Sequence, residues 1–272
     1  MKILNFMRNG LLNRKKSDDK VMPIIPVEVE SIPSSHVGHE LTGGNGGNGG
    51  LVDGRLITIR EPYSMIAEQY RVLSTRISKL VQNKSSYTLA ITSSLKSEGK
   101  SFTALNLAIT LAKDFDENVL LIEGDLKNPT LHEYLKRSPG FGLSDVIEGR
   151  IDMDTAAIKL FEGNLTVLLA GKKIGNPSRL ISSPKMEEIL NNAKSVYKYI
   201  IIDAPPVLPL VDMNIYSNLV DGILLIIRAG KTPKSMVKRA LSSINSEKVI
   251  GAVLNDVEMN YSKYYYGSKY AY

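Results

Sequence analysis

Three short segments of the sequence carry side chains that could together bind phosphates and a metal ion. The first segment, residues 94–101, reads SLKSEGKS and lies between a predicted strand and a predicted helix. In such a loop the backbone N–H groups bind phosphate oxygens, the lysine contacts the outer phosphates and the final serine binds Mg²⁺. The first position departs from the usual P-loop pattern, because it is Ser94 rather than Gly or Ala. We predict nucleotide binding by Ser94, Leu95, Lys96, Ser97, Glu98, Gly99, Lys100, Ser101 and Phe102.

Acidic side chains follow two other predicted strands. Glu123 and Asp125 come after the apolar run 119–122, and Asp203 comes after the run 199–202. The carboxyl ends of parallel strands meet at one edge of a sheet, where ligands bind. Mg²⁺ needs only one or two carboxylates when phosphates and water complete its shell. Together the three segments predict a site for Mg²⁺ with ATP or ADP.

The elements that must position these residues alternate between β-branched runs and helices. Predicted strands cover residues 87–92, 119–122, 165–169, 199–202, 223–227 and 249–254. Predicted helices cover residues 62–81, 102–115, 131–135, 143–147, 152–158, 186–196 and 233–244. Continuous apolar strands that alternate with helices indicate a mostly parallel sheet covered on both faces. We predict an α/β fold of the P-loop NTPase type, with a doubly wound sheet in three layers.

Composition and charge divide the chain into three parts. The absence of cysteine among 272 residues excludes a disulfide scaffold, an iron–sulfur carrier and a thiolate zinc site. The formal charge of +6 lies almost entirely on residues 1–16, which hold five basic residues and no acid. We therefore predict no nucleic-acid partner. The flexible stretch GGNGGNGG at residues 43–50 ends a predicted basic arm and linker, residues 1–55. A folded domain is predicted for residues 56–256 and a tail for residues 257–272.

Tyrosine is concentrated at the end of the sequence. Six of the thirteen tyrosines lie within the last twelve residues, where Ala271 is the only aliphatic residue. A segment of this kind builds no packed element, so it is either a sticky tail or a mobile acceptor of phosphoryl groups. The predicted acceptors are Tyr261, Tyr264, Tyr265, Tyr266, Tyr270 and Tyr272.

These segments resemble the cytoplasmic catalytic domain of bacterial tyrosine kinases (BY-kinases), the autokinases of capsule and exopolysaccharide synthesis. Residues 94–101 resemble the family's Walker A motif, residues 120–127 (LLIEGDLK) its Walker A′ and residues 200–206 (IIIDAPP) its Walker B. Shorter matches lie at residues 142–146, 176–186 and 228–232. The sequence departs from the family at Glu123, where Asp is usual, and at Lys127, where Arg is usual.

The resemblance implies roles for individual residues. It implies that ATP and Mg²⁺ are cofactors and that the catalytic residues are Lys100, Glu123, Asp125 and Asp203. It assigns Mg²⁺ to Ser101, Asp125 and Asp203, and the orientation or deprotonation of the tyrosine hydroxyl to Glu123 and Asp125. Arg228 and Asn255, at the ends of later strands, are predicted to contact the base or ribose. Glu68 and Arg71 resemble the start of the family's oligomerisation motif.

The resemblance also implies partners and a location. We expect a homo-oligomer whose subunits phosphorylate one another's tails. Other expected partners are a transmembrane regulator of polysaccharide chain length and a protein-tyrosine phosphatase. No apolar run approaches the roughly 20 residues that span a bilayer. We therefore expect a cytoplasmic protein that lies at the inner face of the membrane, where the basic arm contacts anionic lipid or the membrane partner.

Two other functions are compatible with the motifs. Partition ATPases of the MinD/ParA type share the fold, but they carry a second lysine directly after the first Walker A position. Here that position is Leu95, and Lys96 falls one residue later. A nucleotide-binding adaptor of a polysaccharide assembly complex, without phosphoryl transfer, is the other alternative.

Overall fold

Parallel strands carry the three predicted segments. The computed structural model describes residues 56–209 and 212–257. Its strands are β1 (Tyr87–Ser93), β2 (Val119–Glu123), β3 (Ile158–Leu160), β4 (Leu165–Leu168), β5 (Tyr199–Asp203), β6 (Gly222–Arg228) and β7 (Val249–Asn255). They form one sheet in the order β3-β4-β2-β5-β1-β6-β7, and every neighbouring pair is parallel except β3 with β4.

The helices connect these strands. They are α1 (Ile57–Arg60), α2 (Met65–Val81), α3 (Lys100–Asp114), α4 (Leu131–Tyr134), α5 (Leu143–Ile147), α6 (Met153–Ala156), α7 (Ser178–Ile181), α8 (Pro184–Ala193), α9 (Asp212–Leu219) and α10 (Lys234–Ser242). The longest, α2, begins where the Ser64 hydroxyl accepts a hydrogen bond from the Ala67 N–H. No helix within the described ranges is long and apolar enough to cross a membrane.

Alternate residues of each strand face the two helical layers. In β2, Leu121 packs into the cluster that holds Tyr70 of α2 and Leu105 of α3. Its neighbour Leu120 packs into the opposite cluster, which holds Met186 of α8. Since both faces of the sheet are buried, the strands read as continuous apolar runs. The three-layer, mostly parallel fold predicted from the sequence is therefore confirmed.

Two features of the chain differ from the sequence prediction. The predicted helix at residues 152–158 is wrong in its last two residues: α6 ends at Ala156, and β3 begins at Ile158. This segment pairs with the edge of β4, where Lys159 lies opposite Thr166, and the pairing provides hydrogen-bond partners for its backbone. Three short helices, α1, α7 and α9, were not predicted, because each is too brief to show a clear helical period.

The order of the strands determines where the site forms. Strands β1, β5 and β2 are neighbours, and their carboxyl ends carry the Walker A loop, Asp203 and Glu123 respectively. Ile91 of β1 and Glu123 of β2 both stand in register with Asp203 of β5. The three predicted segments consequently meet at one edge of the sheet.

Candidate active site

The Walker A loop connects β1 to α3 through a glycine that no other residue can replace without strain. Gly99 caps α3 with φ +91°, in the left-handed region. A Cβ at this position would lie 1.9 Å from Nδ2 of Asn255. That same Asn255 amide donates a hydrogen bond of 2.9 Å to the carbonyl oxygen of Glu98. The end of β7 thus holds the backbone of the loop in place.

Lys100 lies between two carboxylates at the start of α3. Its Nζ is 3.2 Å from Oδ2 of Asp125 and 3.3 Å from Oδ1 of Asp203. Burial lowers the pKa of Lys100, but the charges of Asp203 and Asp125 outweigh burial, so the net pKa is raised. The ammonium therefore stays charged and faces the space where a phosphate chain would lie.

Asp203 and Ser101 are suited to a cation with few protein ligands. Burial raises the pKa of Asp203, although Lys100 opposes this effect. Oδ2 of Asp203 is buried and has no hydrogen-bond partner among the described residues. The Ser101 hydroxyl lies close by, 3.3 Å from Nζ of Lys100, and accepts a hydrogen bond of 3.1 Å from Thr130. An unpaired carboxylate oxygen beside a serine hydroxyl fits Mg²⁺ bound largely by phosphates and water.

Lys100, Ser101 and Asp125 line a cavity of about 420 Å³, here called the catalytic cavity. Phe102 and Tyr134 form part of its wall, with their ring centres 6.4 Å apart. The exposed Lys96 lies at its rim. The complete lining is Lys96, Ser97, Gly99, Lys100, Ser101, Phe102, Asp125, Asn128, Thr130, Tyr134 and Pro206. The cavity thus combines groups that bind phosphate with aromatic rings.

Glu123 makes contacts that differ from those expected of a catalytic acid. Its Oε1 accepts hydrogen bonds from the N–H groups of Thr130 and Leu131 at 2.5 and 2.6 Å. Its Oε2 accepts one of 3.0 Å from the N–H of Ala170. Burial raises the pKa of Glu123, and these N–H groups oppose that effect. The carboxylate is therefore engaged by backbone on both oxygens, so the geometry supports a positioning role rather than contact with a tyrosine hydroxyl.

Glu98, inside the Walker A loop, is buried rather than directed towards a ligand. Its Oε2 accepts a hydrogen bond of 3.0 Å from the N–H of Leu95. Its Oε1 accepts one from the hydroxyl of Thr232. Ser94, at the first position of the loop, is also buried, and its hydroxyl has no partner among the described residues. The loop is consequently shaped by its own side chains as well as by backbone.

Arg228 and Asn255 stand opposite each other at the ends of β6 and β7. Nε of Arg228 lies 2.6 Å from Oδ2 of Asp256, and Asn255 is bound to the loop as described above. Both residues adjoin the Walker A loop, and each side chain has a partner, although Oδ1 of Asn255 is buried without one among the described residues. Contact with a base or ribose stays a prediction for them.

The proposed oligomerisation residues pair with each other on α2. Nη1 of Arg71 lies 3.1 Å from Oε2 of Glu68, and Nε lies 2.9 Å from Oδ2 of Asp114. Nη2 of Arg71 donates to the carbonyl oxygen of Pro62 at 2.6 Å. Arg71 therefore joins α2 to α3 within one chain, whereas the side chain of Glu68 is 60% exposed. The six C-terminal tyrosines and the basic arm lie outside the described residues.

The structure also shows supporting residues that the sequence analysis did not identify. Tyr216 donates a hydrogen bond of 3.0 Å to the carbonyl oxygen of Gly124, between the two Walker A′ acids. Asp212 binds both Lys127 and Ser178. Asp212 begins a helix that was not predicted, so no sequence signal marked it. Ser178 and Thr232 lie within segments that resemble the family, and this was the one available signal for them.

Known proteins resemble this chain in sequence over most of its folded part. Residues 88–259 match a family model described as an AAA domain. The tyrosine-protein kinase YwqD of Bacillus subtilis (strain 168) is 36% identical over 226 residues, which cover 81% of this chain and 94% of YwqD. The succinoglycan biosynthesis transport protein ExoP of Rhizobium meliloti (strain 1021) is 33% identical over 211 residues, which cover 75% of this chain and 26% of ExoP.

A solved structure shares the fold. The crystal structure of the chimerical protein CapA2B2 matches with a TM-score of 0.76, covering 94% of this chain and 100% of that chain at 23% identity. With a P-loop, paired acids at neighbouring strand ends and relatives named as tyrosine kinases, the chain belongs to the bacterial tyrosine kinase (BY-kinase) family.

Proposed function

We propose that the chain is an ATP-dependent protein-tyrosine autokinase whose acceptors are the tyrosines of residues 261–272 in a neighbouring copy. The observation that carries this proposal is the position of Lys100, between Asp125 and Asp203 at the end of the Walker A loop. A charged ammonium beside two carboxylates suits phosphoryl transfer, which depends on positioning and on neutralisation of phosphate charge.

The contacts of the residues support the following roles. Lys100 exchanges its carboxylate partners for the β- and γ-phosphates, and the Walker A backbone binds the β-phosphate. Mg²⁺, held by Ser101, Asp203 and Asp125, would neutralise charge on the phosphates. The phenolic oxygen forms a bond to the γ-phosphorus as the bond to the β–γ bridging oxygen breaks. ADP leaves with that electron pair, and the phenolic proton passes to Asp125 and then to water.

Glu123 contributes to this chemistry through the backbone of a neighbouring loop. It binds the backbone of Thr130 and Leu131, and Thr130 in turn donates to Ser101. We therefore assign Glu123 to positioning the loop that carries Asp125 and Thr130. The side chain of Glu123 is longer than that of the Asp usual in the family. It still serves this role, because backbone N–H groups donate hydrogen bonds to its carboxylate.

Transfer between copies can be tested by mixing two variants. One is the full chain with Lys100→Met, which supplies acceptors only. The other is an active chain that ends at residue 257, which supplies the catalytic site only. Phosphotyrosine on the Lys100→Met chain would establish transfer between copies. A mixture that stays unlabelled, while the wild type labels itself, would show that transfer occurs within one chain.

Three assays of the wild type separate the proposed function from the two alternatives. A partition-type ATPase would hydrolyse ATP without forming phosphotyrosine, and an adaptor would bind ATP without doing either. Assays of ATP binding, ATP hydrolysis and anti-phosphotyrosine signal on one preparation therefore distinguish all three.

In the cell, we propose that this activity regulates the synthesis and export of capsule or exopolysaccharide. The name of ExoP supports this proposal, since it places that relative in succinoglycan transport. A transmembrane chain-length regulator and a tyrosine phosphatase would complete the system. The arm at residues 1–55 would add attraction to anionic lipid, worth about 1 kcal/mol per basic residue near the surface. Deletion of residues 1–50 should abolish co-sedimentation with anionic vesicles and leave autophosphorylation intact.

A further inference from the structure

A larger cavity adjoins the catalytic cavity. It has a volume of about 730 Å³ and lies beyond the carboxyl ends of β2 and β4. Asn128 lines both cavities, so the two are contiguous at this residue. The mechanism described above uses none of the exposed groups of this second cavity.

The second cavity is lined by acidic side chains that have partners and by basic side chains that have no ion pair within the described ranges. Its two carboxylates, Glu123 and Asp145, are already satisfied. Glu123 accepts three backbone N–H groups, and Asp145 accepts the N–H of Gly142 at 3.0 Å and pairs with Nη2 of Arg150 at 2.8 Å. Three basic side chains also line the cavity, and none of them forms an ion pair with a residue that the structure describes: His132, Lys172 and Lys173. The cavity therefore presents basic groups that are available to an anion.

Flat apolar groups lie beside these basic side chains. Phe141 is 58% exposed, which is unusual for a side chain of this size in the described part of the chain. Pro129 and Pro139 line the same cavity. Apolar surfaces of this kind favour an aromatic ring, and nearby lysines favour a doubly charged phosphate. The chemistry that matches both is phosphotyrosine.

We propose that the second cavity binds a phosphotyrosine from residues 261–272 of another copy while a nearby tyrosine of that segment occupies the catalytic cavity. This inference rests on the proposed function and specifies the substrate of the same site. The segment suits both cavities, because Tyr264, Tyr265 and Tyr266 are consecutive and three further tyrosines flank them. An extended chain rises about 3.3 Å per residue, so tyrosines one to three positions apart reach adjoining cavities. The first phosphate on a tail then promotes the next.

Binding of synthetic tail peptides to the full chain tests this proposal. The probes are residues 258–272 with phosphate on Tyr265, and the same peptide without phosphate, titrated in the absence of ATP. We expect the phosphorylated peptide to bind at least about tenfold more tightly, because charge-assisted contacts form only with phosphate. Equal binding of the two peptides would overturn the proposal.

Matched variants locate the site. Lys172→Ala combined with Lys173→Ala should bring the affinity for the phosphorylated peptide to within about twofold of that for the bare peptide. Both lysines are exposed and lie outside helices and strands, so the fold does not depend on them. Lys113→Ala, an exposed lysine in the last turn of α3, should change nothing. An equal loss with Lys113→Ala would mean general charge attraction and would overturn the proposal.

The ring contact has its own test. Phe141→Ala should lower the affinity for the phosphorylated peptide and leave the affinity for inorganic phosphate unchanged. If inorganic phosphate binds the wild type as tightly as the phosphorylated peptide does, the cavity does not recognise phosphotyrosine and the proposal is wrong.

Failure of this proposal is distinguishable from failure of the proposed function. A chain that never labels itself with ATP but prefers the phosphorylated peptide would contradict the kinase proposal alone. A chain that labels its tail normally but binds both peptides equally would contradict only the proposal that the second cavity binds phosphotyrosine. In the wild type, intact-mass spectra during labelling should show mainly bare and multiply phosphorylated chains. The double lysine variant should accumulate singly phosphorylated chains, and identical distributions would contradict the inference.

Discussion

Nζ of Lys127 lies 3.0 Å from Oδ2 of Asp212, and this contact joins the Walker A′ loop to the start of α9. The other oxygen of Asp212 accepts a hydrogen bond of 2.6 Å from the hydroxyl of Ser178 in α7. The carboxylate is 1% exposed, so both contacts replace water. Lys127 stands two residues after Asp125, and the ion pair therefore restrains the loop that carries Asp125.

Removing the partner of this buried carboxylate should destabilise the fold and slow catalysis. We expect Lys127→Met to lower the free energy of unfolding by about 1–3 kcal/mol, since Asp212 would stay buried without its counter-ion. Urea unfolding measures this change. Lys127→Arg keeps the charge and should retain stability. In a double-mutant cycle with Asp212→Asn, the two losses should be clearly less than additive; strict additivity would show that the pair contributes nothing.

A methyl group at Gly99 should weaken nucleotide binding. The left-handed backbone and the 1.9 Å approach to Asn255 both oppose any Cβ there. We expect Gly99→Ala to weaken ATP binding about tenfold or more, a loss that calorimetric titration measures. Gly175→Ala is the matched control, because a Cβ at that position meets no atom within 4 Å. Similar affinities in the two variants would show that the loop tolerates a side chain.

Glu98 should make stability depend on pH in a definite direction. Burial raises the pKa of Glu98 above its ordinary value of 4.5, although hydrogen bonds from Thr232 and Leu95 oppose this. An acid whose pKa is higher in the folded state stabilises the fold fully below its unfolded pKa, and this contribution is lost as pH rises through the folded value. Relative to Glu98→Gln, the wild type should therefore lose free energy of unfolding as pH rises above 4.5.

Urea unfolding of both proteins across this pH range provides the measurement. Gln keeps an oxygen for the N–H of Leu95, so the comparison isolates the charge. Glu133→Gln, at an exposed position of α4, is the control and should follow the wild type at every pH. If the wild type instead gains stability over Glu98→Gln with rising pH, the burial of Glu98 has the opposite effect from that described.

The pair on α2 should separate assembly from folding. Glu68 is largely exposed, so we expect Glu68→Ala to change the free energy of unfolding by no more than about 0.5 kcal/mol while reducing the oligomer population. Arg71→Ala should also cost about 1 kcal/mol of stability, because Arg71 binds Asp114 and Pro62 within its own chain. Sedimentation velocity measures assembly. An unchanged oligomer in Glu68→Ala would remove Glu68 from the interface.

Local patterns were sufficient to predict the six parallel strands of the sheet and the meeting of the three motifs. Buried parallel strands leave continuous apolar runs, and each run here ends in a polar segment that belongs to one edge. Lys100, Asp125 and Asp203 could be identified because their types and positions follow directly from those runs. The family resemblance then suggested the reaction.

Long-range contacts could not be predicted in the same way. Glu123 resembles a catalytic acid in sequence, but its side chain accepts a hydrogen bond from Ala170, which lies 47 residues away. The partner of Lys127 lies 85 residues away, and the partner of Glu98 lies 134 residues away. The short helices α1, α7 and α9 owe their existence to tertiary packing rather than to helical periodicity. Such features appear only when the whole chain is folded.

Tandem mass spectrometry of the full chain after incubation with Mg²⁺ and ATP tests the central claim most directly, with wild type and Lys100→Met compared side by side. We predict phosphate on the tyrosines of residues 261–272 in the wild type and none in Lys100→Met, whose circular dichroism confirms folding. Phosphate in Lys100→Met, phosphate in the wild type only on the exposed Tyr63, or a wild type that binds ATP but carries no phosphate would each contradict the account.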